Sequence, residues 1–313
     1  MKRAVCLLMA LLMALGSMPA LAEEKIIPED KAETVTEFRD GYACHFRNYS
    51  SKFWEAPSGQ PGTIERVDYT TSVYGEKMDR WTNVYLPYGY DAEKQYNIFY
   101  FFHGSDENQE SFICDERVKN AVDNMIEHGI CKPFIMVCPT YYFDKNDART
   151  LNPNKFVDEL RDDLMPAVES KYSSFAPTAD EDGFIASRAH RAFSGYSQGC
   201  SVCLAVLWRC MDYAKWFAPM SGVKPDQFKS FKDAVTKSPY GSDMFFYFCS
   251  GGKRDVAYDG VVSFVNAMIK DGTFSYGTDP AVNNYCACIS KEIHQTMKAR
   301  FNLYNIFQDG LFQ

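Results

Sequence analysis

Beyond its first segment, the 313-residue chain has no apolar run long enough to cross a bilayer, which takes about 20 consecutive residues. Basic residues are also short: 33 Lys and Arg stand against 41 Asp and Glu, for a formal net charge of −8. Nucleic-acid binders carry a basic stripe or patch, so nucleic acid is excluded as the expected partner. The paired cysteines of a structural zinc site are missing as well. Two close pairs exist, Cys200-x-x-Cys203 and Cys286-x-Cys288, but neither sits in the context that a metal or redox centre needs. No internal repeat or low-complexity tract is present, so solenoid and linker architectures fall away.

What the chain does have begins at its N-terminus. Lys2 and Arg3 precede an apolar run from Ala4 to Leu15, and the segment closes on Ala20-Leu21-Ala22. A charged start, a short apolar stretch and a small-x-small site mark a signal peptide over residues 1–22, cleaved after Ala22. The chain is therefore expected to be secreted or periplasmic, with no membrane association after cleavage. Removing Lys2 and Arg3 takes the formal charge from −8 to −10. Of eleven cysteines, Cys6 leaves with the signal. Most of the other ten lie in apolar runs, as Cys138, Cys203 and Cys249 do, and are read as free core thiols with room for one or two bridges. Aromatic residues make up 15% of the chain, which suits a packed core or a carbohydrate-facing surface.

The mature chain of about 290 residues suits one large domain. Residues 23–61 are polar and rich in Pro and Gly, and are read as an N-terminal extension lying on, or linking to, that domain. From residue 62 to 313 the texture is regular. "TIERVDYTTSVYG" and "RWTNVYLPYGY" alternate with period two and predict an antiparallel strand pair. "YNIFYFF", "KPFIMVCP", "HRAFSGY", "FAPMSG" and "DMFFYFCSGG" read as buried strands. Helical stretches separate most of them: "VKNAVDNMIEHG", "PNKFVDELRDDLMPAVESKY", the run after Ser197 and "YDGVVSFVNAMIKDG". Alternating strands and helices predict an α/β fold with a mostly parallel sheet covered on both faces.

Within this frame, Gly195-Tyr196-Ser197-Gln198-Gly199 fits G-x-S-x-G. The pentapeptide alone is common, but here a strand precedes it and a helix follows. A sharp strand-to-helix turn lifts the serine hydroxyl above the sheet edge, and Gly195 and Gly199 leave room for the turn. Serine needs a base to become a nucleophile. In the order serine, acid, histidine, only His294 follows Ser197, near the C-terminus where the base belongs. The acid should end the strand before the last helix, and Asp255 does so directly after the strand-end glycines. Asp259 is read instead as a helix start. The oxyanion hole needs two backbone N–H donors: Gln198, directly after the serine, and Ser105, in the loop after "FYFFHG", with Gly104 allowing close approach. His103 and His190 are read as architectural. No metal and no cofactor are called for.

Taken together, "NVYLPYGYDAEKQYNIFYFFHGSDEN", "LMPAVESKYSSFA", "SRAHRAFSGYSQG", "WFAPMSG" and "SGGKRDVAY" resemble the feruloyl esterases of carbohydrate esterase family 1, in the esterase-D-like branch of the α/β-hydrolases. The resemblance spans about residues 62–310. It implies an α/β-hydrolase fold, a plant cell-wall polysaccharide such as xylan or a small ester as substrate, hydrolysis of feruloyl or acetyl esters, and Ser197, Asp255 and His294 as triad. Two positions depart from the family pattern G-x-S-M-G-G: Gln198 replaces the methionine and Cys200 the second glycine. A third, Gln295, stands where the family commonly has tryptophan after the histidine, near the acyl site. Two other readings stand beside this one: an esterase acting on another acyl ester, of a lipid or of peptidoglycan, and a carbohydrate-binding homologue of the same fold with weak catalysis.

Overall fold

The computed structural model describes residues 32–143 and 152–313; the signal segment expected over residues 1–22 lies outside them. The chain from residue 32 does not run as the irregular extension expected from its composition. Strands β1 (Glu33–Glu37) and β2 (Ala43–Phe46) pair antiparallel. Phe38 and Cys44 are buried. The Cys44 thiol donates to the Ala287 carbonyl at 3.2 Å, so this hairpin is packed onto the main sheet rather than linked to it. Further on, Tyr49 and Phe53 bury against the rings of Phe301 and Tyr304.

Strands β3 (Thr63–Thr71) and β4 (Met78–Leu86) form the expected antiparallel pair. Six strands follow: β5 (Asn97–Phe102), β6 (Phe134–Cys138), β7 (Arg191–Tyr196), β8 (Trp216–Met220), β9 (Phe245–Ser250) and β10 (Tyr285–Ile289), each buried at every position. A strand covered on both faces has no solvent side, which is why these runs are apolar without alternation. The sheet order is β10-β9-β8-β7-β5-β6-β4-β3. The pairs from β6 to β10 are parallel and β4 joins β6 antiparallel. This is the α/β-hydrolase arrangement expected from the sequence.

Helices α1 (Glu116–Glu127), α2 (Pro153–Glu159), α3 (Met165–Lys171), α4 (Glu181–Ala186), α5 (Gln198–Arg209), α6 (Phe228–Lys237), α7 (Tyr258–Asp271) and α8 (Ala299–Gln308) surround the sheet. The strand side chains divide between two cores. In β9, Phe246 and Phe248 join the face covered by α5, α6 and α7, whereas Phe245, Tyr247 and Cys249 join the face covered by α1 and α8. Each fully buried phenylalanine contributes about 1.5–3 kcal/mol. Helices α2 and α3, expected as one helix, are joined by a π turn, Leu160–Leu164, where the Met165 N–H reaches the Leu160 carbonyl. Pro166 follows directly. Proline lacks an N–H and its ring crowds the carbonyl four residues back, and the wider turn relieves that crowding.

Strand β10 was not anticipated. Cys286 and Cys288, weighed above as a thiol pair, are two residues apart in a strand and so face the same core, with Ala287 on the other. All ten cysteines among the described residues are free. The same residues contain no cluster suited to a metal ion and no helix long and apolar enough to cross a membrane.

Candidate active site

The parallel strands end along one edge of the sheet, and the loops that leave this edge carry the residues singled out above. Such edges are where ligands bind in open α/β sheets. Ser197 lies between β7 and α5 with φ 54° and ψ −112°. A positive φ strains a residue with a Cβ. The turn is held by neighbours: the Ser197 N–H donates to the Met220 carbonyl at 2.9 Å. The flanking glycines cannot be enlarged, because a Cβ on Gly195 would stand 2.0 Å from the Gly199 carbonyl oxygen, and one on Gly199 would stand 2.3 Å from that of Phe102.

His294 sits in the loop after β10, and its Nε2 is 2.9 Å from Ser197 Oγ. Its Nδ1 is 2.6 Å from Asp255 Oδ1. A carboxylate only accepts, so Nδ1 carries the proton and Nε2 is left to accept from the serine hydroxyl. Asp255 lies after β9 and is buried. Burial alone raises its pKa, but hydrogen bonds from His294, the Ala257 N–H, the Ser221 hydroxyl and the Gly251 N–H outweigh that and bring it down to about 2. The last two bonds are both 2.7 Å, to Oδ2. Asp255 is therefore a fixed anion under the imidazole. The three residues chosen from sequence are thus brought together in the order needed for proton relay.

Ser105 lines the pocket at Ser197, and Gln198 opens the helix that follows the serine. Around Ser105, the Gly104 N–H is taken by Glu107 at 2.8 Å and the Asp106 N–H by the Tyr142 hydroxyl at 3.2 Å. The Ser105 N–H has no acceptor among the described residues, and neither has the Gln198 N–H. A cavity of about 530 Å³ beside them is lined by Ser105, Glu107, Tyr196, Ser197, His294 and Gln295 among others. The volume falls in the range of small-molecule sites.

Sequence reasoning missed the residues that hold this arrangement. The Tyr142 hydroxyl donates to Gln198 Oε1 at 2.6 Å, and the Tyr141 hydroxyl donates to the His103 carbonyl at 2.9 Å. Arg80 in turn fixes their loop through the Tyr142 and Thr140 carbonyls while paired to buried Glu159. Glu107 is half-buried; burial raises its pKa, and hydrogen bonds from Thr296 and the Gly104 N–H oppose the rise. Ser221, with φ 49°, supports Asp255. His103 and His190 are architectural, as expected. His103 bonds the Gly104 carbonyl and Thr140, and His190 stacks on Phe175. Cys200 is accommodated because its neighbour is Gly222, whose added Cβ would stand 2.5 Å from that of Cys200.

The fold and this relay define an α/β-hydrolase of the esterase type. Residues 75–268 match the family described as "Putative esterase", and the chain belongs to that family. It is 35% identical over 236 residues to endo-1,4-beta-xylanase Y of Acetivibrio thermocellus, covering 73% of this chain and 21% of that protein. It is 28% identical over 249 residues to an endo-1,4-beta-xylanase/feruloyl esterase of Xylanibacter ruminicola, covering 76% and 32%. The chain thus spans between a fifth and a third of the length of these curated relatives. Among solved structures, a mutant feruloyl esterase module from Clostridium thermocellum complexed with sinapinate superposes with a TM-score of 0.76 at 28% identity, covering 91% of this chain and 97% of that one.

Proposed function

We propose that this protein is an exported serine esterase that removes feruloyl or acetyl groups from plant cell-wall polysaccharide such as xylan, through an acyl-enzyme on Ser197. The observation that carries the reading is the unbroken relay from Ser197 Oγ through His294 to buried Asp255, on a chain similar to feruloyl esterases. Export rests on the N-terminal signal of residues 1–22.

In this mechanism His294 Nε2 takes the Ser197 proton as Oγ attacks the ester carbonyl carbon. The carbonyl oxygen becomes an oxyanion and accepts from the Gln198 and Ser105 N–H groups. As the carbonyl re-forms, the bond to the sugar oxygen breaks and His294 returns the proton to that oxygen. Water, deprotonated by His294, then attacks the acyl-enzyme and releases the acid with Ser197 restored. Asp255 stays ionised throughout and stabilises the imidazolium.

The test is hydrolysis of methyl ferulate and a short acetyl ester by the mature protein and by Ser197→Ala. Preferential cleavage of ferulate by the wild type, with neither cleaved by the variant, is the expected result. Preference for acetyl would assign the narrower acyl group. Failure of folded wild-type protein to cleave either ester would overturn the reading.

A further inference from the structure

A second cleft, of about 590 Å³, lies beside the nucleophile pocket and shares Glu107 with it as a common wall. Trp81, on β4, lines this cleft with its ring half-buried, and the Arg66 guanidinium lies 4.5 Å from the ring centroid. Asp79, Asn108 and Gln109 line it as well. Much of the polar chemistry here is uncommitted. The Asp79 carboxylate, the Gln109 side-chain amide and the Trp81 indole N–H make no hydrogen bond among the described residues. By contrast Arg80, in the same wall, is fully used by Glu159 and two carbonyls.

The ester has two halves, and this lining distinguishes between them. An aromatic or acetyl acyl group placed here would desolvate an unpaired carboxylate and an unpaired amide with little to bond them, which is unfavourable for both groups and most for the charged one. A sugar ring brings hydroxyls that both donate and accept. Its C–H face also packs against a flat indole. A carboxylate acceptor, an amide with both roles and an indole N–H donor around one aromatic plane are complementary to a neutral polyol.

We propose that the cleft beyond Glu107 is a subsite for the sugar chain on the alcohol side of the ester, with Trp81 as its platform and Asp79 and Gln109 as its hydrogen-bonding groups. The subsite rests on the esterase reading above and deepens it: the acyl group occupies the pocket at Ser197, and the carbohydrate runs across Glu107.

The test compares two esters of one acid, methyl ferulate and a feruloylated arabinoxylan oligosaccharide, in wild type, Trp81→Ala and Gln109→Ala. The quantity read is the ratio of kcat/KM for the oligosaccharide ester to that for the methyl ester. The expected result is a ratio at least tenfold lower in Trp81→Ala and at least threefold lower in Gln109→Ala. Ratios within twofold of wild type in the folded variants overturn the subsite. If Trp81→Ala does not fold, Gln109→Ala, on a surface loop, decides alone. A second measurement separates this proposal from the reaction itself: titration of Ser197→Ala with the unesterified oligosaccharide, followed by calorimetry. Binding that is lost on adding Gln109→Ala supports the subsite even if wild type hydrolyses neither ester; no binding by Ser197→Ala overturns it.

Discussion

The Tyr142 hydroxyl donates to Gln198 Oε1 at 2.6 Å and accepts from the Asp106 N–H at 3.2 Å. One phenol therefore ties the residue after Ser197 to the loop that presents Ser105, so the two N–H groups proposed for the oxyanion are braced against each other. The brace depends on the side-chain amide of Gln198, the residue directly after the nucleophile.

Removing the brace should cost turnover more than binding. Tyr142→Phe leaves Gln198 Oε1 with only the more distant Tyr141 hydroxyl, at 3.4 Å, and removes the hydroxyl that now accepts from the Asp106 N–H. We expect kcat on methyl ferulate to fall about tenfold, equivalent to ~1.4 kcal/mol, with KM changed less than threefold. Gln198→Met should have a similar effect, and the double variant should be no worse than either. The double-mutant cycle measures this: a coupling energy below about 0.5 kcal/mol would show that the two side chains act independently.

The relay itself predicts a graded loss. Ser197→Ala should reduce kcat by at least ~10⁴-fold, leaving only the oxyanion donors and binding. Asp255→Asn places an amide where the Nδ1–H bond is made and favours the wrong imidazole tautomer, for a loss of about 10⁴-fold. It also removes the negative charge that the Ser221 hydroxyl and the Gly251 N–H now face, so the urea midpoint should fall as well. Covalent labelling by a fluorophosphonate checks the first claim directly: wild type should label and Ser197→Ala should not.

Ser197, Asp255 and His294 were legible because each is announced locally: a glycine-flanked serine between strand and helix, an acid after strand-end glycines, a sole downstream histidine. The buried parallel strands were legible because a two-face-covered strand is apolar throughout. Strand β10 was not, since Tyr285–Ile289 is short and follows a turn-rich stretch, and its cysteines read as a motif rather than as core. The β1–β2 hairpin was missed because its residues are largely polar and exposed, with Phe38 and Cys44 among the few anchors. Tyr141, Tyr142, Glu107 and Ser221 carry no local signal at all. Their roles arise only when β5, β6, β7 and β8 lie side by side and bring four loops to one edge.

The glycine at position 199 predicts a coupled loss of stability and activity. An alanine methyl there would meet the Phe102 and His103 carbonyl oxygens at 2.3 and 2.4 Å. Both are backbone atoms at the end of a central strand, so the contact is relieved only by moving β5 away from α5. Overpacking of this kind costs about 1–3 kcal/mol. The same displacement carries Ser105 away from Gln198. Gly199→Ala should therefore lower the unfolding midpoint and, in the protein that remains folded, lower kcat by more than tenfold. Thermal unfolding followed by circular dichroism, with kinetics below the transition, reads both effects. A variant with wild-type kcat would show that the loop tolerates the shift.

His103 should make stability fall in mild acid, by a mechanism separate from the active-site pair. It is buried; burial lowers its pKa to about 4, with the bond to the Gly104 carbonyl opposing the shift. Because Nδ1 donates to that carbonyl at 2.8 Å, Nε2 accepts from the Thr140 hydroxyl at 2.9 Å, and protonation would set two donors against each other. The unfolded chain protonates this histidine near pH 6.5, the folded chain only near pH 4. Between those values the unfolded state holds more protons, so stability rises with pH, by about 1.4 kcal/mol per unit in the middle of the window. From pH 7.5 down to 5.0 this single group should remove about 2 kcal/mol. The carboxylates contribute their own acid dependence, Asp255 mainly below pH 4, where its depressed pKa loses its stabilising effect. His103→Gln isolates the histidine: urea unfolding at pH 7.5 and 5.0 should show a loss about 2 kcal/mol smaller in the variant than in wild type. Equal losses in the two proteins would mean that His103 stays neutral in neither state more than the other, and would reject the assignment.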